Sequence, residues 1–74
     1  MMLLTLMNEG SLLKILKING KKETKTFLES LGFVNGADIS IVQKMDGNII
    51  VNIKDSRVAI NKDIANKIIV QEVL

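Results

Sequence analysis

The side chains that most often perform catalysis in small proteins are scarce in this sequence. It contains four serines and eight carboxylates, but no histidine and no cysteine. Histidine is the usual general base at neutral pH, and both missing residues are the usual zinc ligands. Ser11 and Lys14 have the spacing of a Ser-x-x-Lys pair, but on a β-strand their side chains would point to opposite faces. We therefore expect no catalytic residues and no enzyme activity.

Oxygen donors are the remaining candidates for binding a metal ion. Asp46 and Asn48 stand on either side of Gly47, and two such donors are too few to enclose a hard cation. The sequence Asp-Gly-Asn is instead typical of a tight hairpin turn. The spacing Gly32-x-x-x-Gly36 lacks the Lys-Ser/Thr pair of a phosphate-binding loop. The sequence thus predicts no metal site and no bound cofactor.

Positive charge is concentrated in one short stretch of the chain. Residues 14–25 contain five lysines and one glutamate, although the whole chain has a net charge of only +2. Such a cluster is ordinarily solvated surface, and the alternative is a patch for an acidic partner or for membrane headgroups. An apolar pair at 33–34 would adjoin it if the chain turns outward there; otherwise Phe33 closes one end of the core. The candidate partner-binding residues are Lys21, Lys22, Lys25, Phe33 and Val34.

The elements that must position these residues follow from hydrophobic periodicity and from glycine, since the chain has no proline. Alternating or β-branched segments predict five short strands. The predicted strands are Ser11–Ile18, with a bulge near its end, then Asp38–Met45, Ile49–Ile53, Arg57–Ile60 and Ile68–Val73. The segment Leu3–Met7 is a lead-in, either a strand or one helical turn.

Two helical segments interrupt the strands. In Lys22–Leu31 the apolar residues share one helical face, which places Phe27, Leu28 and Leu31 in the core, and Gly32 suits the left-handed position that ends a helix. Asn61 can cap a single turn that runs through Asn66. Short strands separated by turns predict one small domain over residues 1–74, a closed or nearly closed β-barrel. The apolar start, Met1–Met7, is far shorter than the roughly 20 residues of a membrane span, so we expect a cytoplasmic protein without direct membrane insertion.

Three segments resemble the FeoA family. Phe27–Ile39 is similar to its helix–turn–strand element, a leucine-rich helix followed by Leu-Gly-Leu/Phe/Ile-x-Pro-Gly-x-x-Ile. Leu4–Gly10 resembles the family's opening, and the closing is similar to Val58–Ile60, Asp63–Ala65 and Ile68–Val70. Asn35 and Glu9 stand where the family usually has proline. The turn at Asn35 remains plausible, because Asn35 is itself a turn former and Gly36 supplies the positive φ. Both departures should loosen their turns slightly.

The resemblance implies an SH3-like β-barrel with one helix after the first strand and a helical turn before the last. It also implies an accessory protein of bacterial ferrous iron transport that binds the FeoB transporter and modulates Fe(II) uptake. Because the chain has no His and no Cys, we expect it to act by contact, without carrying iron. The alternative is a regulatory SH3-like barrel that acts on an iron-dependent repressor or another protein. Nucleic acid is not an expected partner, because small barrels that bind it present stacking aromatics and this chain has two phenylalanines only. A weak homo-oligomer is compatible with the sequence.

Overall fold

One antiparallel sheet carries the fold of this computed structural model, which describes residues 1–73. Six strands are joined by two α-helices and one 3₁₀ helix. The strands are β1 Met2–Leu3, β2 Leu12–Ile18, β3 Asp38–Met45, β4 Asn48–Ile53, β5 Ser56–Asn61 and β6 Ile68–Glu72. The helices are the 3₁₀ helix Leu4–Leu6, α1 Lys22–Ser30 and α2 Lys62–Ala65. The predicted mainly β architecture, with a helix after the first long strand and a helical turn before the last, is confirmed.

The sheet has the order β1-β6-β2-β3-β4-β5, so β1 and β5 are its two edges. Within residues 1–73 the edges do not pair with each other, and the sheet is SH3-like without full closure. The segments that follow the two edges do meet. Thr5 in the 3₁₀ helix donates a hydrogen bond of 2.8 Å to the side-chain oxygen of Asn66, just after α2. The apolar lead-in, expected as either a strand or one helical turn, contains both a two-residue strand and a 3₁₀ helix.

Hydrophobic side chains from every long strand fill the interior. The buried set includes Leu13, Ile15, Ile41, Ile53 and Val70, each no more than 2% exposed. The bulge expected near the end of β2 is present, because the pairing of β2 with β6 shifts register between Ile15 and Lys17. A bulge bends and twists its strand. As an inner strand, β2 pairs with β6 on one side and with β3 on the other.

The hairpin turns form where the sequence predicts them. Met45 pairs with Asn48, which leaves Asp46-Gly47 as a two-residue loop. Asn61 accepts a hydrogen bond of 2.8 Å from the backbone nitrogen of Ile64, so it caps α2 as expected. No helix within the described residues 1–73 is long and apolar enough to cross a membrane.

One prediction about the core is wrong. Phe27 is 59% exposed, whereas Leu28 is fully buried and Leu31 packs at the margin of the core. Successive residues of a helix are about 100° apart around its axis, so α1 turns Leu28 into the core and carries Phe27 out along its flank. The aromatic core position is filled instead by Phe33, which is fully buried.

Candidate functional site

A cleft lies between β2, α1 and the segment that follows α1. Its floor is apolar, and its rim carries charged side chains from two different elements. The lining residues are Lys17, Ile18, Lys25, Glu29, Phe33, Val34 and Asn35. Three of the five residues predicted to bind a partner, one lysine of α1 and the apolar pair after it, are therefore brought together in one place.

The end of α1 fixes the floor of this cleft. Gly32 has a φ of 103°, its backbone nitrogen donates to the carbonyl of Glu29 over 3.0 Å, and Phe33 donates to the carbonyl of Leu28 over 2.9 Å. These two bonds define a Schellman motif, in which the second residue after the C-cap residue, here Leu31, packs against the last helical turn. The motif accounts for the burial of Phe33 beside Leu28. Of the two alternatives for Phe33, the structure agrees with a place in the core, and the exposed patch that included it is corrected accordingly.

The next residues are held against β2. The backbone nitrogen of Gly36 donates to the carbonyl of Ile15 over 2.7 Å, and the nitrogen of Ile15 donates to the carbonyl of Ala37 over 2.9 Å. Val34 lies between the helix end and this pair of hydrogen bonds, and it remains 38% exposed. It is thus the accessible apolar side chain of the cleft, with Phe33 beneath it.

The charged rim has few internal partners. The salt bridge found within residues 1–73 joins Lys14 to Asp38 over 3.3 Å, and both side chains are largely solvated. Lys25 and Glu29 are four residues apart on α1, yet they form no ion pair in the described part of the chain. Lys17 faces Lys25 across the cleft from β2. Leu13 and Ile15 are buried, so strict alternation would also turn Lys17 inward, and the bulge between Ile15 and Lys17 leaves it exposed instead. Its place opposite α1 depends on how the helix docks.

The other two predicted lysines lie at the start of α1. Lys21 is the N-cap residue and makes no side-chain capping bond, and Lys22 is the first helical residue. Both are exposed. Positive charge at a helix N-terminus opposes the helix dipole, by about 0.3–1 kcal/mol for each residue, and Glu23 offsets part of this. The cationic surface therefore extends from the cleft to the beginning of the helix.

Groups of three or more potential metal-ligating side chains are absent from the described residues 1–73. Asp46 and Asn48 lie at the hairpin between β3 and β4, in the turn that their sequence predicted. The cleft thus has an apolar floor with Lys17, Lys25 and Glu29 around it, and no ion pair joins these three side chains within residues 1–73.

The fold defines a small SH3-like domain. The model of the FeoA domain matches residues 2–72, and the chain belongs to the FeoA family. Comparison with curated proteins finds no significant match.

Solved structures agree with this assignment. An iron uptake regulatory protein, FeoA, superposes with a TM-score of 0.89 at 26% identity over 96% of each chain. FeoA of Stenotrophomonas maltophilia, an SH3 domain protein solved with zinc, gives a TM-score of 0.82 at 19% identity, over 96% of this chain and 91% of that one. A manganese-dependent transcriptional repressor gives 0.88 at 18% identity, over 95% of this chain and 35% of the repressor. The fold thus occurs both alone and within larger regulators.

Proposed function

We propose that this protein is a cytoplasmic accessory protein of ferrous iron transport, which binds the FeoB transporter and modulates Fe(II) uptake. Membership of the FeoA family supports the link to iron transport. The observation that carries the binding proposal is the cleft, which Lys17 and Lys25 line together with the accessible side chain of Val34. The protein acts through this contact and does not carry the metal.

The partner segment that suits this cleft combines an apolar side chain with carboxylates. The apolar group would cover Val34, while the carboxylates would meet the lysines of the rim. An acidic partner would also relieve the unfavourable placement of Lys21 and Lys22 at the positive end of α1. Rim charges of this kind mainly raise the rate of association and make binding sensitive to salt.

Charge reversal tests the proposal with purified transporter. Lys22→Glu combined with Lys25→Glu changes the net charge by four and should weaken binding to FeoB by roughly tenfold or more, since 1.4 kcal/mol corresponds to a factor of ten. The matched control is Lys54→Glu with Lys62→Glu, the same charge change outside the cleft. Binding is measured by titration at two salt concentrations, and circular dichroism checks folding. Equal affinities for the two double variants would place the interface elsewhere.

A second candidate function is regulation of a metal-dependent repressor. The likeness to about a third of the manganese-dependent repressor favours it, because a detached domain of this type could occupy the same position on a repressor. Titration of the repressor with the wild-type chain separates the two proposals. Binding to FeoB without binding to the repressor supports the transporter; the reverse result supports the repressor.

A further inference from the structure

The strand β5 leaves one long edge of the sheet open. Within residues 1–73 it pairs with β4 alone, in an unbroken register from Ser56 opposite Ile53 to Asn61 opposite Asn48. The opposite edge is β1, which has two residues before the chain turns into a 3₁₀ helix. An unpaired strand of this length presents backbone donors and acceptors to any other strand.

The register identifies which backbone groups are free. Ile53 and Ser56 flank a two-residue loop, and residues in that position form a hydrogen-bonded pair. Alternate residues of β5 then bond to β4, and those between them direct their N–H and C=O groups outward. The residues with outward groups are Arg57, Ala59 and Asn61. All three are exposed, and the carbonyl of Asn61 also begins α2.

The devices that usually protect such an edge are few here. The β4–β5 ladder has no bulge, whereas both β2–β6 and β3–β4 contain a register shift. Proline is absent from the whole sequence. Among the outward residues, Arg57 carries the one charge. A bulge-free edge with a single charge near its end remains competent to pair.

We propose that β5 pairs antiparallel with β5 of a second copy of this chain, about a two-fold axis at Ala59. This edge is separate from the cleft between β2 and α1, and the inference does not rest on the proposed function. In this register Ala59 faces Ala59 of the second copy, and Arg57 faces Asn61 of the second copy. All three outward residues are used on both chains, and the two copies form one continuous sheet.

Charge repulsion, the start of α2 and the number of bonded residues together select this register. An axis at Arg57 would oppose two guanidinium groups, which destabilises a cross-strand pair. An axis at Asn61 would require pairing by residues that belong to α2. An axis at Val58 or Ile60 would bond two outward residues of each chain instead of three. Self-complementarity about Ala59 is what a closed, isologous dimer requires, and it favours a second copy over an unrelated strand.

The outer face is also compatible with this axis. Ile50 is half-buried and lies beside Ala59 on β4. Across the axis the row would read Ile50, Ala59, Ala59, Ile50, so apolar groups meet apolar groups at its centre. Polar residues flank that row, since Asn52 pairs with Arg57 and Asn48 with Asn61. A contact through one strand is small compared with stable interfaces, and the dimer is therefore concentration-dependent.

Charge placed on the axis tests the dimer without altering the fold. In sedimentation equilibrium the wild-type chain should shift from monomer towards dimer as its concentration rises into the millimolar range. Ala59→Lys places two ammonium groups together and should weaken the dimer at least tenfold. Gln43→Lys, the same charge gain at an exposed site on β3, should leave it unchanged. A wild-type chain that stays monomeric throughout, or equal association by both variants, would overturn the proposal.

Crosslinking tests the register itself. The chain has no cysteine, so Ala59→Cys introduces one thiol per copy. Opposed residues of a hydrogen-bonded pair have Cα atoms about 5.5 Å apart, which lies within the range that a disulfide spans. Mild oxidation should give a covalent dimer of Ala59→Cys and far less of Asp46→Cys, which lies at an exposed hairpin loop. Equal yields from the two variants would reject the axis at Ala59.

Discussion

The ammonium group of Lys44 donates a hydrogen bond of 3.0 Å to the backbone carbonyl of Met7, 37 residues earlier in the chain. The same group donates to the carbonyl of Thr5 over 2.8 Å, and the backbone nitrogen of Lys44 donates to the carboxylate of Glu9 over 2.7 Å. Strand β3 thereby fastens the N-terminal segment, whose Leu4 and Met7 belong to the core.

Removal of that ammonium group should loosen the N-terminal segment. Lys44→Met keeps most of the aliphatic stem but leaves two carbonyls without their charged donor, and we expect a loss of about 1–2 kcal/mol in the free energy of unfolding. Urea denaturation measures the loss, and hydrogen exchange at the Met7 amide should become faster. Lys25→Met is the control, because that exposed lysine makes no comparable bond within the described residues; an equal loss would contradict the role of Lys44.

A close approach at Gly32 yields a second prediction. A Cβ atom placed there would lie 3.3 Å from Cδ of Lys54, and φ is 103°. Gly36 has a similar φ of 87° with open space around its Cβ position. Each Gly→Ala change should be destabilising by about 1–2 kcal/mol through the left-handed backbone, and Gly32→Ala should lose more, because the side chain of Lys54 must also move.

A double variant separates the two contributions at Gly32. Lys54→Ala removes the methylene groups that an alanine at position 32 would meet. In that background the difference between Gly32→Ala and Gly36→Ala should shrink, as chemical denaturation of all the variants will report. A difference that persists unchanged would show that contact with Lys54 is not its source.

The local elements of this fold could be predicted from the sequence because their signals are local. Gly32 at the end of an amphipathic stretch predicts the helix end, and Asn61 before a short polar turn predicts the cap. The side on which Phe27 lies could not be predicted, since Phe27 and Leu28 fit a helical apolar face equally well until the helix docks. The position of Lys17 opposite Lys25 likewise depends on the docking of α1 against β2, which no local pattern encodes.

The two phenylalanines should therefore differ sharply in their contribution to stability. Phe33→Ala should remove about 3–5 kcal/mol, because a fully buried ring leaves a cavity, whereas Phe27→Ala should change stability by about 0.5 kcal/mol or less. Phe33→Leu, with a smaller loss, keeps the comparison measurable if the alanine variant does not fold. Thermal denaturation provides the measurement. Similar losses for Phe27→Ala and Phe33→Leu would contradict the burial difference.

The capping bond of Asn61 gives a prediction about α2 and about the hydrogen bond that joins Asn66, just after α2, to the 3₁₀ helix. Asn61→Ala removes the acceptor for the Ile64 nitrogen and should lower stability by about 1 kcal/mol. Asn61→Asp keeps the acceptor and adds a negative charge that the helix dipole favours, so it should retain wild-type stability or exceed it.

Because Asn66 follows this turn and accepts a hydrogen bond from Thr5, hydrogen exchange near Thr5 should also become faster in the alanine variant. The measurements belong at low protein concentration, where association through β5 does not contribute. Equal stability of the alanine and aspartate variants would show that the cap is dispensable and that packing of Ala65 alone holds the turn.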